Sequence, residues 1–359
     1  MKKILLLSLF VSAFSLATKA QDTVKTTSDS PLIFSGSVDT YYKYDFSGHA
    51  NIPTSFASDQ NSVSIGMIDL GLKKSVGKAS FVGELSFGPR GQSQSIPNAS
   101  PGAISNSNGT AYSSYHIQNL YVAYAVTDKL TLTAGYMSTF IGYEVISPVG
   151  NFNYSTSYLF TAGPFQNAGF KATYAFSDKV SLMAGIFNNY WNVYSTVGNT
   201  GSGDVSTFGA QLTVTPVKNW TAYLNVATGS YSGTIFDLTT AYQITSAFKL
   251  GLNGATYTPT HGGGGYDGVA LYPQLAVSKA VTFGLRGEYF EFKSIGTSPS
   301  SNVTAITGTA NIKAGPLTLI PEVRFDTFGG TPKPMPFLDS NGASTASASQ
   351  FVLAAVFAF

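Results

Sequence analysis

The sequence predicts an all-β protein, a transmembrane antiparallel up-and-down β-barrel of about 16 strands. Charged residues make up only 11% of its 359 residues, and aromatic residues make up 14%. An average soluble domain carries about 25% charged residues. After residue 20, Ser, Thr, Asn and Gly interrupt every apolar run, so no stretch approaches the roughly 20 apolar residues of a spanning helix. A membrane barrel fits these observations, because its strands alternate apolar and polar residues.

The chain begins with the pattern of a secretory signal over residues 1–20. Two lysines precede an apolar run, and Ala20 supplies a small residue suited to cleavage. Residues 21–31 form a short polar leader. Removal of residues 1–20 takes Lys plus Arg from 20 to 17 against 18 Asp plus Glu, which changes the net charge from +2 to about −1. A mature chain without excess positive charge is not expected to bind nucleic acid.

Residues 32–359 repeat one rhythm, which we interpret as the barrel. Segments that alternate apolar with small or polar residues are separated by breaks, and these breaks are alternately short and long. Short turns on one side and long loops on the other are typical of outer-membrane barrels, whose short turns face the periplasm. The predicted strands are 32–45, 62–74, 79–89, 116–126, 130–139, 165–176, 180–189, 205–215, 220–228, 234–244, 247–257, 268–277, 281–293, 302–313, 317–328 and 350–359.

The alternation within the strands indicates which face meets lipid. In the first strand, Phe34 and Val38 share one face, whereas Ser37, Asp39 and Lys43 share the other. The polar face is mostly built from small residues, which favours a water-filled lumen. Barrels of 16 to 18 strands enclose an aqueous channel, whereas eight-stranded barrels are filled by side chains. The alternation in the fourteenth and sixteenth strands does not decide their orientation.

Charged residues on the predicted inner faces are candidates for the lining or constriction of a pore. They are Arg286, Glu288, Glu322, Arg324, Asp326, Lys171, Asp69 and Glu84. Such charges can form structural pairs that offset the cost of burial, or a charged constriction that sorts solutes. Because one strand separates Arg286 from Arg324, we expect the two to lie close together. Small residues such as Gly308 and Ala310 would leave room between them.

The third long break, residues 140–164, is the candidate constriction loop. It is rich in aromatic residues, and Glu144 is its only charge. Loops longer than about 12–15 residues are usually functional or disordered, and this composition argues against disorder. We expect the loop to fold into the barrel mouth and narrow it; packing against other loops or a partner subunit is the alternative. The aromatic candidates within it are Tyr143, Phe152, Tyr154 and Tyr158.

Nothing in the sequence indicates catalysis. The three histidines, His49, His116 and His261, are far apart in sequence, and no G-x-S-x-G or HExxH motif accompanies them. The glycines after His261 are followed by neither Lys-Ser nor Lys-Thr, so a flexible loop is expected there rather than a phosphate site. The chain contains no cysteine. We therefore expect no enzyme activity, no metal and no cofactor.

Five tracts of the sequence resemble the β-barrel porin family called OmpL-like. These tracts are residues 140–145, 151–155, 164–169, 285–290 and 321–326. The chain also ends in Phe359, which resembles the terminal aromatic signal of outer-membrane barrels. The resemblance implies an outer-membrane porin of a Gram-negative bacterium, surrounded by outer-membrane lipid and inserted by the barrel-assembly machinery through Phe359.

The function expected from these observations is passive diffusion of small hydrophilic solutes through a water-filled barrel lumen. Two other functions stay open at this point. One is a barrel enzyme in the outer membrane with an active site at its rim. The other is a closed barrel whose external loops bind a ligand or partner. A homo-oligomer is compatible with each of them.

Overall fold

The computed structural model describes residues 30–90, 117–188, 204–260, 262–330 and 335–359. Within them, sixteen antiparallel strands close into a barrel: neighbours in sequence pair, and the last strand pairs with the first. The predicted fold class is therefore confirmed. The predicted signal segment, residues 1–20, lies outside the described residues, as do residues 21–29 of the predicted leader. The first fifteen strands are β1 (Ile33–Asp45), β2 (Ser62–Val76), β3 (Ala79–Phe87), β4 (Ile117–Ala125), β5 (Leu130–Ser138), β6 (Gln166–Ala175), β7 (Val180–Asn188), β8 (Val205–Val214), β9 (Trp220–Gly229), β10 (Gly233–Gln243), β11 (Phe248–Thr258), β12 (Tyr266–Ala276), β13 (Val281–Phe292), β14 (Ser301–Ala314) and β15 (Leu317–Gly330).

The chain between β15 and the last barrel strand departs from the predicted long loop. It contains a small hairpin of β16 (Phe337–Leu338) and β17 (Ser344–Thr345) before β18 (Ser347–Ala358) closes the barrel. The Asp339 carboxylate accepts hydrogen bonds from the backbone N–H groups of Asn341 and Ala343, at 2.8 and 2.9 Å. An Asp side chain of this kind stabilises a tight turn.

The chain between β5 and β6 contains two short helical elements. They are a single 3₁₀ turn, Pro148–Gly150, and the short helix α1, Tyr158–Ala162. Ser157 caps α1 by accepting a hydrogen bond from the Phe160 backbone N–H at 3.0 Å. No helix in the described part of the chain is long and apolar enough to cross a membrane.

The strand register settles the orientation of β14 and corrects one expectation. Thr307 pairs with Arg286 on one side and with Arg324 on the other. Because directly paired residues share a face of the sheet, Thr307 faces inward and its neighbour Gly308 faces outward. Gly308 and Ala310 therefore do not lie between the arginines, as the sequence suggested. Thr307 lies between the two arginines instead.

The outer surface carries large apolar side chains. Leu285 and Phe325 are 54% and 55% exposed, although both belong to central parts of their strands. Outside the barrel such exposure is expected of side chains that face lipid. The inner surface is more crowded, because the chain between β5 and β6 passes through the lumen and buries much of the wall beside it.

Candidate channel constriction

Residues 139–165, which connect β5 to β6 and are called here the inserted segment, lie inside the barrel. Tyr154 and Ser157 are each 1% exposed, and Leu159 is 4% exposed. Tyr154 forms hydrogen bonds with Asp39 of β1 and Glu322 of β15, and Leu159 forms one with Glu288 of β13. The inserted segment is consequently held on several sides, which is unusual for a connection between two strands, because loops normally run over the surface.

Two carboxylates of the wall bind the backbone of the inserted segment. The two carboxylate oxygens of Glu322 accept hydrogen bonds from the backbone N–H groups of Tyr154 and Ser155, at 2.9 and 3.1 Å. Glu288 does the same for Tyr158 and Leu159, at 3.0 and 2.8 Å. Each carboxylate thus satisfies two consecutive amides. Such charge-assisted hydrogen bonds are about twice as strong as neutral ones.

Two arginines of the wall bind the carbonyl groups between those amides. Arg286 donates from Nη1 to the Ser155 carbonyl oxygen at 2.6 Å, and Arg324 donates from Nη1 to the Thr156 carbonyl oxygen at 2.7 Å. Arg286 also forms a 2.8 Å salt bridge with Glu144 of the inserted segment itself. The planar guanidinium suits this role, because it offers several donors in a fixed geometry. The wall therefore binds both the donors and the acceptors of this backbone.

Two phenols attach the inserted segment to further carboxylates. The Tyr154 hydroxyl donates to Asp39 Oδ2 at 2.5 Å, and the Tyr158 hydroxyl donates to Asp326 Oδ2 at 2.8 Å. Burial raises the pKa of both phenols above the usual range. Both hydroxyls therefore keep their protons and remain donors at neutral pH.

Glycines of the inner wall provide the space for aromatic rings of the inserted segment. A Cβ atom at Gly284 would lie 2.2 Å from the Phe152 ring, and one at Gly251 would lie 2.2 Å from the Tyr143 hydroxyl oxygen. Tyr143 also stacks on Tyr272 with ring centroids 4.4 Å apart. Any larger residue at these two glycines would displace a ring. Gly284 and Gly251 are thus part of the surface that receives the inserted segment.

The eight candidate lining charges fall into two groups in the structure. Arg286, Glu288, Glu322, Arg324 and Asp326 all face inward but are at most 3% exposed. Their side chains contact the inserted segment or one another rather than an open lumen. The structure thus brings these five together with Glu144, Tyr154 and Tyr158, which belong to the candidate constriction loop.

Lys171, Asp69 and Glu84 form the second group and are only partly buried. All three face inward by their strand pairing. Asp69 accepts a hydrogen bond from the Ser86 hydroxyl at 3.1 Å, and Glu84 accepts one from the Asn119 amide. These three residues do not contact the five buried charges.

Two charged residues that bind the inserted segment were not expected from the sequence. Arg90 donates from Nε to the Ile146 carbonyl oxygen at 2.6 Å, and its guanidinium lies over the Phe56 ring at 4.3 Å. Asp237 accepts a hydrogen bond from the Gly142 backbone N–H at 3.1 Å. Strand alternation could have identified Asp237, which lies between Ile235 and Thr239 on one face of β10. No strand signal marks Arg90, because it follows β3 in a long break.

A cavity of about 640 Å³ lies between the inserted segment and the short-turn end of the barrel. Residues 148–153 of the inserted segment form one side of it. The inner wall of β11 to β15 and the end of β18 form the other, with Lys249, Gln274 and Lys313 among its polar side chains. We call this space the lower vestibule.

The histidines take no part in these clusters as far as the structure describes them. His49 lies in the chain between β1 and β2, and His116 and His261 lie outside the described residues. In the described part of the chain, no group of three or more His, Asp or Glu side chains could hold a metal ion.

A closed barrel of sixteen strands with an inner loop across its lumen defines the class of outer-membrane porins. The model of the family described as "Putative beta-barrel porin-2, OmpL-like" matches residues 31–359. The chain therefore belongs to this family, and the resemblance seen in the sequence is confirmed. No curated protein matches the chain.

Solved structures with the same fold include outer-membrane proteins described as a porin and as a channel. The anion-selective porin from Comamonas acidovorans is 13% identical with a TM-score of 0.59, and the match covers 92% of this chain and 100% of that one. The outer-membrane channel DcaP of Acinetobacter baumannii is 12% identical with a TM-score of 0.56 and coverages of 93% and 99%. OmpT of Vibrio cholerae in its trimer form is 12% identical with a TM-score of 0.56 and coverages of 92% and 99%.

Proposed function

We propose that this porin allows passive diffusion of small hydrophilic solutes across the outer membrane, and that the inserted segment sets the width of the passage. The observation that carries the proposal is the attachment of residues 154–159 to four charged side chains of the inner wall. A sixteen-stranded barrel without inner structure would leave a wide aqueous channel. A segment bound this firmly within it would restrict the channel to small solutes.

The proposed location includes the lipid contacts and the assembly route. The apolar outer face would contact outer-membrane lipid, and the short turns would face the periplasm. Phe359 lies at the short-turn end, where its backbone N–H donates to the Gly36 carbonyl oxygen at 3.0 Å. Its side chain is 64% exposed, which supports recognition of this terminus by the barrel-assembly machinery. Residues 1–20 would direct export and be removed by cleavage after residue 20.

A homo-oligomer is part of the proposal, and an enzyme activity is not. One structure of the same fold is described as a trimer form, which supports assembly of several barrels. Family membership supports a channel. The rim enzyme has no observation in its favour among the described residues.

The proposal is tested with the purified full-length protein in a planar lipid bilayer and in a liposome-swelling assay. We expect stepwise conductance increments in KCl, and swelling that is faster for pentoses than for disaccharides. A folded, heat-modifiable barrel that inserts but conducts no ions would contradict the proposal and favour a closed barrel with binding loops. Equal swelling rates for small and large sugars would contradict the role of the inserted segment.

A further inference from the structure

We propose that the lower vestibule is an anion-selective part of the passage and that Lys249 and Lys313 provide its selectivity. The inference rests on the proposed function, because it names the class of solute for that same passage. The preferred solutes would be small hydrophilic anions, such as carboxylates and phosphate or sulfate esters.

Strand pairing directs both lysines into the lumen. Lys249 of β11 pairs with Gln274 of β12, and the next inward pair along these strands is Gly251 with the buried Tyr272. Lys313 of β14 pairs with Thr318 of β15, on the inward face that also includes Thr309 and Glu322. Both lysines border the lower vestibule. Their positions near the short turns place them between the inserted segment and the periplasmic opening.

The positive charge of the two lysines is not neutralised by the protein. Neither forms a salt bridge among the described residues. Glu144 is the acidic side chain that borders the lower vestibule, and it is bound by Arg286 at 2.8 Å and by the Ser157 backbone N–H at 2.7 Å. The lining of the cavity therefore carries two free positive charges. A concave surface lined by one sign of charge concentrates ions of the opposite sign.

The neutral lining of the lower vestibule also suits anions. Gln274, Thr282 and Thr318 border the cavity, and no hydrogen bond of their side chains occurs in the described part of the chain. An amide and two hydroxyls can donate hydrogen bonds to a carboxylate or phosphate oxygen. The lysines would attract the anion, and these groups would replace part of its hydration shell.

Another part of the inner wall, formed by β2 and β3, has a different charge. A smaller cavity of about 380 Å³ is bordered there by Asp69, Glu84 and Lys73, so carboxylates outnumber lysines. Lys171 faces inward from β6, on neither of these two walls. Because Asp69 and Glu84 lie on β2 and β3, whereas Lys249 and Lys313 border the lower vestibule from β11 and β14, anions are expected to pass along the β11 and β14 side.

The test measures the chloride-to-potassium permeability ratio from the reversal potential in a KCl gradient. We expect the wild-type channel to prefer chloride. The double variant Lys249→Gln/Lys313→Gln should lower the ratio by at least about two-fold, and Lys249→Glu/Lys313→Glu should invert the preference. Lys249→Arg/Lys313→Arg should keep the wild-type ratio. The positional control, Lys218→Gln/Lys279→Gln, removes the same charge from short turns outside the cavity and should change the ratio little.

Three outcomes would overturn the inference, and one would overturn the proposed function instead. A wild-type channel that prefers potassium contradicts the inference, and so does a ratio unchanged by the Gln and Glu pairs in heat-modifiable, conducting barrels. An equal loss of selectivity in the short-turn control would mean that lysines at the rim, rather than those of the lower vestibule, provide the selectivity. Absence of conductance in the folded wild-type protein would contradict the porin function itself.

Discussion

Two groups of inward-facing charges share the same strand alternation but have different surroundings. The buried group comprises Arg286, Glu288, Glu322, Arg324 and Asp326, and it holds the inserted segment. The free group comprises Lys249 and Lys313, which border the lower vestibule without a carboxylate partner among the described residues. Alternation thus identifies which side of the wall a charge occupies. Its role depends on whether another part of the chain covers it.

The difference has an energetic consequence. A buried charge that loses its partner is left in a medium of low dielectric constant, and breaking such a pair costs about 3–5 kcal/mol. A charge that faces water keeps its hydration. Substitutions in the buried group should therefore alter stability and channel width together, whereas substitutions in the free group should alter ion preference alone.

The largest effect is expected from Arg286→Met. This change removes the donor that binds Glu144 Oε1 and the Ser155 carbonyl oxygen, so the buried Glu144 carboxylate keeps its Ser157 hydrogen bonds but loses its salt-bridge partner. We expect the free energy of unfolding to fall by about 3–5 kcal/mol, or the inserted segment to leave the wall. Urea unfolding of the detergent-solubilised barrel measures the first result, and increased single-channel conductance indicates the second. Lys313→Met is the matched control, and its stability should change little.

A smaller effect is expected from Gly284→Val. The new Cβ atom would overlap the Phe152 ring, which is 2.2 Å from its ideal position. Overpacking of this kind typically costs about 1–3 kcal/mol. In the double variant with Phe152→Ala, the cost should be largely recovered. The control is Gly287→Val on the same strand, where a Cβ atom meets nothing within 4 Å. Equal destabilisation at both glycines would argue against the fit between Gly284 and Phe152.

The smallest effect is expected from Tyr158→Phe, which removes the hydroxyl that donates to Asp326 at 2.8 Å. Loss of one hydrogen bond to a charged group costs about 1.5–3 kcal/mol. Asp326 keeps its salt bridge with Arg324, so the cost should lie at the lower end. Urea unfolding is the measurement. Tyr174→Phe, at an exposed position on the outer face, should be neutral; a comparable loss there would mean that Tyr158 has no special role.

Much of the barrel could be predicted from the sequence, because strand alternation is a local property. Arg286 and Arg324 were correctly expected on inner faces for this reason. The orientation of β14 could not be predicted, since its residues alternate weakly, and only pairing with β13 and β15 places Thr307 inward. The aromatic composition of residues 140–164 indicated an interior loop. It could not indicate that Glu288 and Glu322 would each bind two consecutive amides, because those contacts join residues about 130 to 170 positions apart.

The central claim is that the inserted segment narrows a water-filled barrel, and deletion of residues 145–160 tests it most directly. The deletion removes the atoms that cover Arg286, Glu288, Glu322 and Arg324, and these charges would then be hydrated in the lumen. The measurement is the single-channel conductance of the deletion variant beside the wild type, with heat-modifiable migration as the criterion of folding. We expect a conductance at least about two-fold higher and faster swelling with disaccharides. Unchanged conductance from a folded deletion variant would mean that the inserted segment does not narrow the channel.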